Sequence, residues 1–213
     1  MCWVQQLQTK QHCGSINKRL NWHEHPLPHF FKTEQLEVLI VGGGYVALEK
    51  LQFLFKSSPN ARVTMVSPMV RTETKDFIQD KNVQVISSRF RSRFLKNKNI
   101  VIATTDSPKV NERVYNLCRK KHILVNVADN PPLCDFYMGG IVTKGNLKIA
   151  ISTNGKSPTL AKRLRQWLEA FLPEETDALL DKLYVYRNKL KGDFEQKVIA
   201  MNKLTEKLLE QDD

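Results

Sequence analysis

No apolar run in the chain approaches the ~20 residues needed to cross a bilayer, which excludes a membrane-spanning helix as its organising feature. Residues 1–30 lack the apolar centre of a secretory signal, so the cytoplasm is the expected location. Cysteine is sparse. Cys2, Cys13, Cys118 and Cys134 are scattered, with no Cys-x-x-Cys pair, which argues against a disulfide framework, a thiolate metal site or a redox couple and leaves reduced thiols. His23, His25 and His29 cluster beside Pro26 and Pro28, where a polar solvated arm is the expected reading and no metal site is assigned. No histidine follows His122. Acid is also in short supply: 22 Asp and Glu stand against 33 Lys and Arg, a net charge of +11. Such an excess concentrates polyanions near the surface, so the partner is a nucleic acid, an anionic membrane or a small molecule rich in carboxylates. Neither a helix-turn-helix pattern nor a stacked-aromatic surface supports the first.

What the chain does have is Leu36 to Ala47, an apolar run that halts on Gly42, Gly43 and Gly44 and resumes as a helix near Tyr45. In a dinucleotide-binding turn, Gly42 lets the chain leave a buried strand sharply. Gly44 lets the backbone approach a pyrophosphate, and Ala47 lets the new helix pack on the sheet. The helix N-terminus then offers unpaired N–H groups and partial positive charge to the phosphates.

Strand and helix signals alternate after this turn. Val38 to Val41 reads as a strand, Val46 to Phe55 as a helix, then Ala61 to Val66, Val83 to Ile86 and Ile100 to Ala103 as strands, Val110 to Lys121 as a helix and Ile123 to Val127 as a fifth strand. The alternation predicts an α/β, Rossmann-like doubly wound parallel sheet. Ligands of such sheets bind at the carboxyl ends of the strands, here Gly42 to Val46, Ser67 to Met69, Thr104 to Asp106 and Ala128 to Pro132. Ser67 stands where many NAD enzymes place an acid on the adenine ribose. The lack of arginine at Ser67 or Pro68 points to NAD, while Arg71 keeps NADP open.

The pattern changes after Asp129. Ile141 to Val142 and Leu147 to Ser152 read as a hairpin turning at Lys144-Gly145-Asn146. Ser157 is a candidate N-cap with Pro158 at the first position of a helix over Thr159 to Phe171. From Thr176 to Leu209 apolar residues recur at helical spacing, with Gly192 dividing two helices. Lys144, Lys148, Lys156, Lys162, Arg163 and Arg165 form a local excess of positive charge suited to an anion. The expected division is a flexible arm over 1–26, a nucleotide-binding domain over 27–138, a small α+β segment over 139–173 and a helical domain over 174–213.

With these segments in view, the chain resembles the precorrin-2 dehydrogenase and sirohydrochlorin ferrochelatase family, the N-terminal part of siroheme synthases. The carriers are Val38 to Gly44, Ala103 to Asp106 with Asn111, Asn126 to Asp129, Phe136, and Ile149 to Pro158 with Ala161, Leu164 and Arg165. The resemblance implies NAD-linked oxidation of precorrin-2 to sirohydrochlorin, in a homodimer joined through the segment after the Rossmann domain. In some members the same site inserts ferrous iron as a second substrate. An anionic tetrapyrrole gives the basic cluster a purpose, because charge-assisted hydrogen bonds outdo neutral ones.

Family roles carry over by position. Gly42, Gly44, Tyr45, Val46, Pro68, Met69, Thr105 and Asp106 fall at cofactor positions, and Asp129 matches the catalytic aspartate. Thr153 lines the tetrapyrrole site, with Asn154, Lys156, Ser157 and Arg165 as further substrate candidates. A carboxylate at Asp129 suits chemistry in which loss of hydride leaves a cationic macrocycle that must then lose a proton. Its alternative is a plain turn residue before Asn130-Pro131-Pro132. Gly139 stands where many relatives have proline, a change expected to loosen that loop. Two other readings remain: a chelatase alone, placing iron, cobalt or nickel into sirohydrochlorin, and an NAD(H)-sensing regulator that binds DNA through its basic surface.

Overall fold

The computed structural model describes residues 29–154 and 156–206. The arm expected over 1–26, with Cys2, Cys13, His23 and His25, lies outside the described residues, as do Gly155, Leu208 and Leu209.

Short β-branched runs alternate with longer amphipathic stretches, and the chain folds accordingly. The elements are β1 (Glu37–Val41), α1 (Tyr45–Ser57), β2 (Arg62–Ser67), α2 (Thr72–Ile78), β3 (Val83–Ser87), β4 (Ile100–Ala103), α3 (Pro108–Lys120) and β5 (Leu124–Val127). All five strands are parallel, in the order β3-β2-β1-β4-β5. The order reverses between β1 and β4, which opens a crevice at their carboxyl ends.

Successive side chains of a strand point to opposite faces, so each strand supplies two cores. Val38 and Ile40 of β1 join Ala47, Leu51, Leu54 and Phe55 of α1. Leu39 and Val41 join Val114 and Cys118 of α3 on the other face. Helix α2 is the one element of this region absent from the sequence reading. It has only seven residues, and its buried positions are Thr74 and Ile78, too few to register as a period.

The segment after β5 doubles back along that strand's outer edge. The Asp135 N–H donates to the Val125 carbonyl (2.8 Å), the Asp135 carboxylate accepts from the Val125 N–H (3.0 Å), and the Asn126 amide donates to the Phe136 carbonyl (2.8 Å). An edge that would otherwise be open is thereby covered.

Beyond this unit, β6 (Gly140–Lys144) and β7 (Leu147–Ile151) pair antiparallel, followed by α4 (Pro158–Phe171), α5 (Thr176–Lys189) and α6 (Phe194–Thr205). Ser157 caps α4, its Oγ accepting from the Leu160 N–H at 3.2 Å, with Pro158 in the first turn. Gly192, at φ +113°, separates α5 from α6. A Cβ at Gly139 would stand 2.7 Å from the Ile151 carbonyl, so glycine allows a close approach there. Two bonds tie the hairpin unit to the far end of α1: Lys148 Nζ donates to the Ser57 carbonyl (2.7 Å), and Lys56 Nζ pairs with Glu169 of α4 (2.9 Å).

Candidate active site

The carboxyl ends of β2, β1, β4 and β5 are stitched into one surface by backbone bonds. The Gly42 N–H donates to the Val66 carbonyl (3.0 Å), Thr104 N–H to Val41 (2.8 Å), and Ala128 N–H to Ala103 (2.9 Å). The sequence-predicted residues on these four ends therefore come together.

Each glycine of the turn has a different reason for being there. Gly42 adopts φ +119°, and a Cβ would lie 2.6 Å from the Thr104 hydroxyl and 2.8 Å from its carbonyl. At Gly43 a Cβ would lie 2.8 Å from the Met69 carbonyl and 3.0 Å from Val70, a packing demand that the two-glycine reading missed. Gly44 is unlike both: among the described residues, its chain neighbours aside, nothing lies within 4 Å of its Cβ position. No crowding within the described fold requires glycine there, whereas a dinucleotide drawn against the backbone would.

Helix α1 begins directly behind. Its first turn has no acidic residue and no side-chain cap, so the N–H groups of its first turn are left for an anion. Met69 is exposed beside this turn, as are Pro68 and Tyr45, and Val46 is half-buried. The turn, the uncapped helix and the apolar rim fit a dinucleotide.

On the β4 side, Thr105 is committed to its own loop. Its hydroxyl and N–H contact Asn111 Oδ1 (2.7 and 3.3 Å), and the Asn111 amide donates to the Thr105 carbonyl (2.8 Å). Asp106 stands exposed next to it. At the end of β5, Asp129 has φ +58°, a left-handed conformation that Asp and Asn tolerate better than most residues. Its exposed carboxylate makes no hydrogen bond or ion pair with the described residues. Cys134 braces the turn from behind. Its Sγ donates to the Val127 carbonyl (3.2 Å), and burial pushes the thiol above its ordinary pKa, so it stays protonated and inert.

The substrate candidates form a second group after β7. The Ser157 N–H donates to Thr153 Oγ1 (3.2 Å), and Lys156 N–H to the Thr153 carbonyl (3.0 Å), so Thr153, Lys156 and Ser157 share one compact turn with Asn154, which is at φ +51°. Arg165 is engaged elsewhere: its guanidinium holds both Glu169 oxygens at 2.7 Å. The bond from Lys56, and after it this one, lower the pKa of the Glu169 carboxyl. Lys144 pairs with Glu174 and Lys148 with Ser57, so half of the basic cluster serves the fold. Lys156, Lys162 and Arg163, the last bonded only to the neutral Gln166 at 3.4 Å, carry the charge left for a ligand. The sequence conceals this, because Glu174 and the Ser57 carbonyl lie outside the basic run itself.

Fold and turn together define a dinucleotide-binding protein of the Rossmann type. Residues 29–140 match the family model described as "Putative NAD(P)-binding", and residues 144–170 match "Sirohaem biosynthesis protein central". The chain belongs to this NAD(P)-binding family, in the branch that joins the nucleotide domain to the sirohaem-biosynthesis central segment.

Among relatives, a "Siroheme synthase" of Pseudoalteromonas translucida is 38% identical over 168 residues, covering 79% of this chain and 35% of the relative. "Siroheme biosynthesis protein met8" of Schizosaccharomyces pombe is 37% identical, covering 76% of this chain and 61% of that protein. The chain thus spans about a third of the length of the siroheme synthases it matches. A solved structure titled "SirC, precorrin-2 dehydrogenase" superposes with a TM-score of 0.67 at 24% identity, covering 84% of this chain and 89% of that one, and shares the fold.

Proposed function

We propose that the protein oxidises precorrin-2 to sirohydrochlorin with NAD as acceptor. The observation that carries this is the meeting of Gly44, with open space before an uncapped α1, and the unpartnered Asp129 on one surface of strand ends. Relatives named for siroheme synthesis support the choice of substrate.

A bound NAD would supply the hydride acceptor. The protein's part is to hold and to deprotonate. The first turn of α1 and the Gly42–Gly44 turn hold the pyrophosphate, with Tyr45, Val46, Pro68 and Met69 along the adenosine half and Thr105 and Asp106 toward the reacting end. Asp129 stabilises the positive charge left on the macrocycle and accepts its proton. Thr153, Asn154, Lys156 and Ser157 receive the substrate's carboxylates, while Arg165 acts by fixing α4 through Glu169. Where ferrous iron is a second substrate, the same carboxylate takes the pyrrole protons that leave as the metal enters.

The working unit in this proposal is a homodimer in the cytoplasm, with the nucleotide domain over 27–138, the dimerising segment over 139–173 and the helical domain over 174–213. Leu160, Leu164, Trp167 and Phe171 support the dimer, since they form one stripe along α4 with 39–66% of their surface exposed in the single chain. Among the described residues no helix is long and apolar enough to cross a membrane.

Incubating the purified protein anaerobically with precorrin-2, with and without NAD and ferrous iron, separates oxidation from metallation in one spectral series. Sirohydrochlorin is expected only when NAD is present. Asp129→Ala is expected to lower turnover by about 10²–10⁴-fold with NADH affinity retained. Normal turnover by this variant would remove Asp129 from the mechanism, and metallation without any NAD-dependent oxidation would favour the chelatase.

A further inference from the structure

The usual reader of the adenosine ribose is an acid at the end of the second strand, and here that position is Ser67. It cannot serve. Ser67 is buried, and its hydroxyl donates to the Met69 carbonyl at 2.6 Å, shaping the loop that follows β2. Discrimination between a free 2′-hydroxyl and a 2′-phosphate must come from another group on this edge of the crevice.

Arg71 and Glu73 stand there. The Arg71 N–H donates to the Gly43 carbonyl at 3.0 Å, which fastens this residue to the glycine turn itself. Its guanidinium lies over the Tyr45 ring, 3.7 Å from the centroid, and Nη2 donates to the Tyr45 hydroxyl at 2.6 Å. Glu73 holds the same guanidinium by two contacts, to Nε at 3.3 Å and Nη2 at 3.2 Å. Both side chains are about half exposed, so they face solvent at the mouth of the site and are not part of a core.

We propose that Glu73, by occupying Arg71, is the element that selects NAD(H) over NADP(H). Arginine near this strand end is the group that receives a 2′-phosphate in NADP enzymes. With Glu73 in place its charge is neutralised, its Nε–Nη2 edge is occupied, and it is held over the Tyr45 ring. A 2′-phosphate arriving here would have to break the pair and would then sit beside a carboxylate of like sign. A ribose with a free 2′-hydroxyl meets neither obstacle. Glu73 thus acts as an internal stand-in for the phosphate, and its removal converts Arg71 into a phosphate receptor.

This inference rests on the dinucleotide reading of the site, and calorimetric titration with NADH and NADPH separates the two. The wild-type chain is expected to bind NADH at least ten-fold more tightly than NADPH. Glu73→Gln, which keeps the shape and removes the charge, is expected to shrink that ratio about ten-fold or more, mainly through tighter NADPH binding. Adding Arg71→Ala to Glu73→Gln should erase the gain, which ties it to the guanidinium. Binding of neither nucleotide by the wild type would overturn the parent reading and this one with it. Tight NADH binding with a ratio unmoved in Glu73→Gln, or a wild type that prefers NADPH, would overturn the selectivity role alone.

Discussion

The sheet unit and the three C-terminal helices solve the problem of apolar surface in opposite ways. In the sheet unit, Leu39, Ile40, Leu51, Met65 and Val101 are fully buried between strands and their covering helices. In α4, α5 and α6 no residue reaches that state, and Trp167, Phe171, Tyr184 and Phe194 are each more than half exposed. One region closes on itself. The other presents an apolar stripe, including the stacked Trp167–Phe171 pair at 5.2 Å, that a single copy of the chain leaves in contact with water. A patch of this kind is the surface that the proposed dimer would cover.

The sharpest way to break the contrast is to damage the closed region. Leu51→Ala deletes a wholly buried side chain where α1 meets the sheet and should cost about 3–5 kcal/mol, read as a lowered urea midpoint. Next in size is Gly42→Ala. Strain at φ +119° together with a clash against the Thr104 backbone should cost about 2–4 kcal/mol. Gly44→Ala should leave the midpoint nearly unchanged and weaken NADH binding instead. Equal losses of stability at the two glycines would show that Gly44 serves packing after all.

The open region should answer differently. Replacing Leu164 and Phe171 together by Asp is expected to change the unfolding free energy of the separated subunit by less than about 1 kcal/mol, since these are exposed positions. Sedimentation should nevertheless shift from dimer to monomer. Smallest at neutral pH is the effect of Cys118, whose thiol is pushed up to about 12, chiefly by burial. The unfolded chain releases this proton near the ordinary value of about 8.5, so the folded state binds more protons above that pH. Stability should decline as pH rises from about 9 toward 12. Cys118→Ala should flatten that limb of the profile relative to wild type.

The sheet unit was legible in the sequence because its signals are local. Val38 to Val41 is a continuous buried run, the three glycines stop it, and Ser157-Pro158 announces α4 in the same manner. The candidate site was legible only where packing does not set the residue type. Gly44 and Asp129 stand out since packing among the described residues asks for neither a missing side chain nor a free carboxylate at those places.

Bonds between distant segments left no mark. Asp177 reaches the hairpin turn through Asn146, whose N–H it accepts at 2.7 Å, and Glu169 takes Lys56 from a helix 113 residues away in sequence. Nothing in their spacing says so. The basic cluster suffered the same way: its run of cations overstates the charge available to a ligand, as Glu174 and the Ser57 carbonyl claim Lys144 and Lys148, while Glu169, one turn on in α4, claims Arg165.

Helix α1 touches both regions, with its first turn at the glycine turn and its last at Lys56 and Ser57, where Glu169 and Lys148 attach. Its 13 residues span about 20 Å. Inserting a single residue in its middle would turn the far end by about 100° and advance it by about 1.5 Å, parting both attachments while leaving the glycines untouched. The helix is a ruler as well as a wall of the core, and its length is held as firmly as its composition.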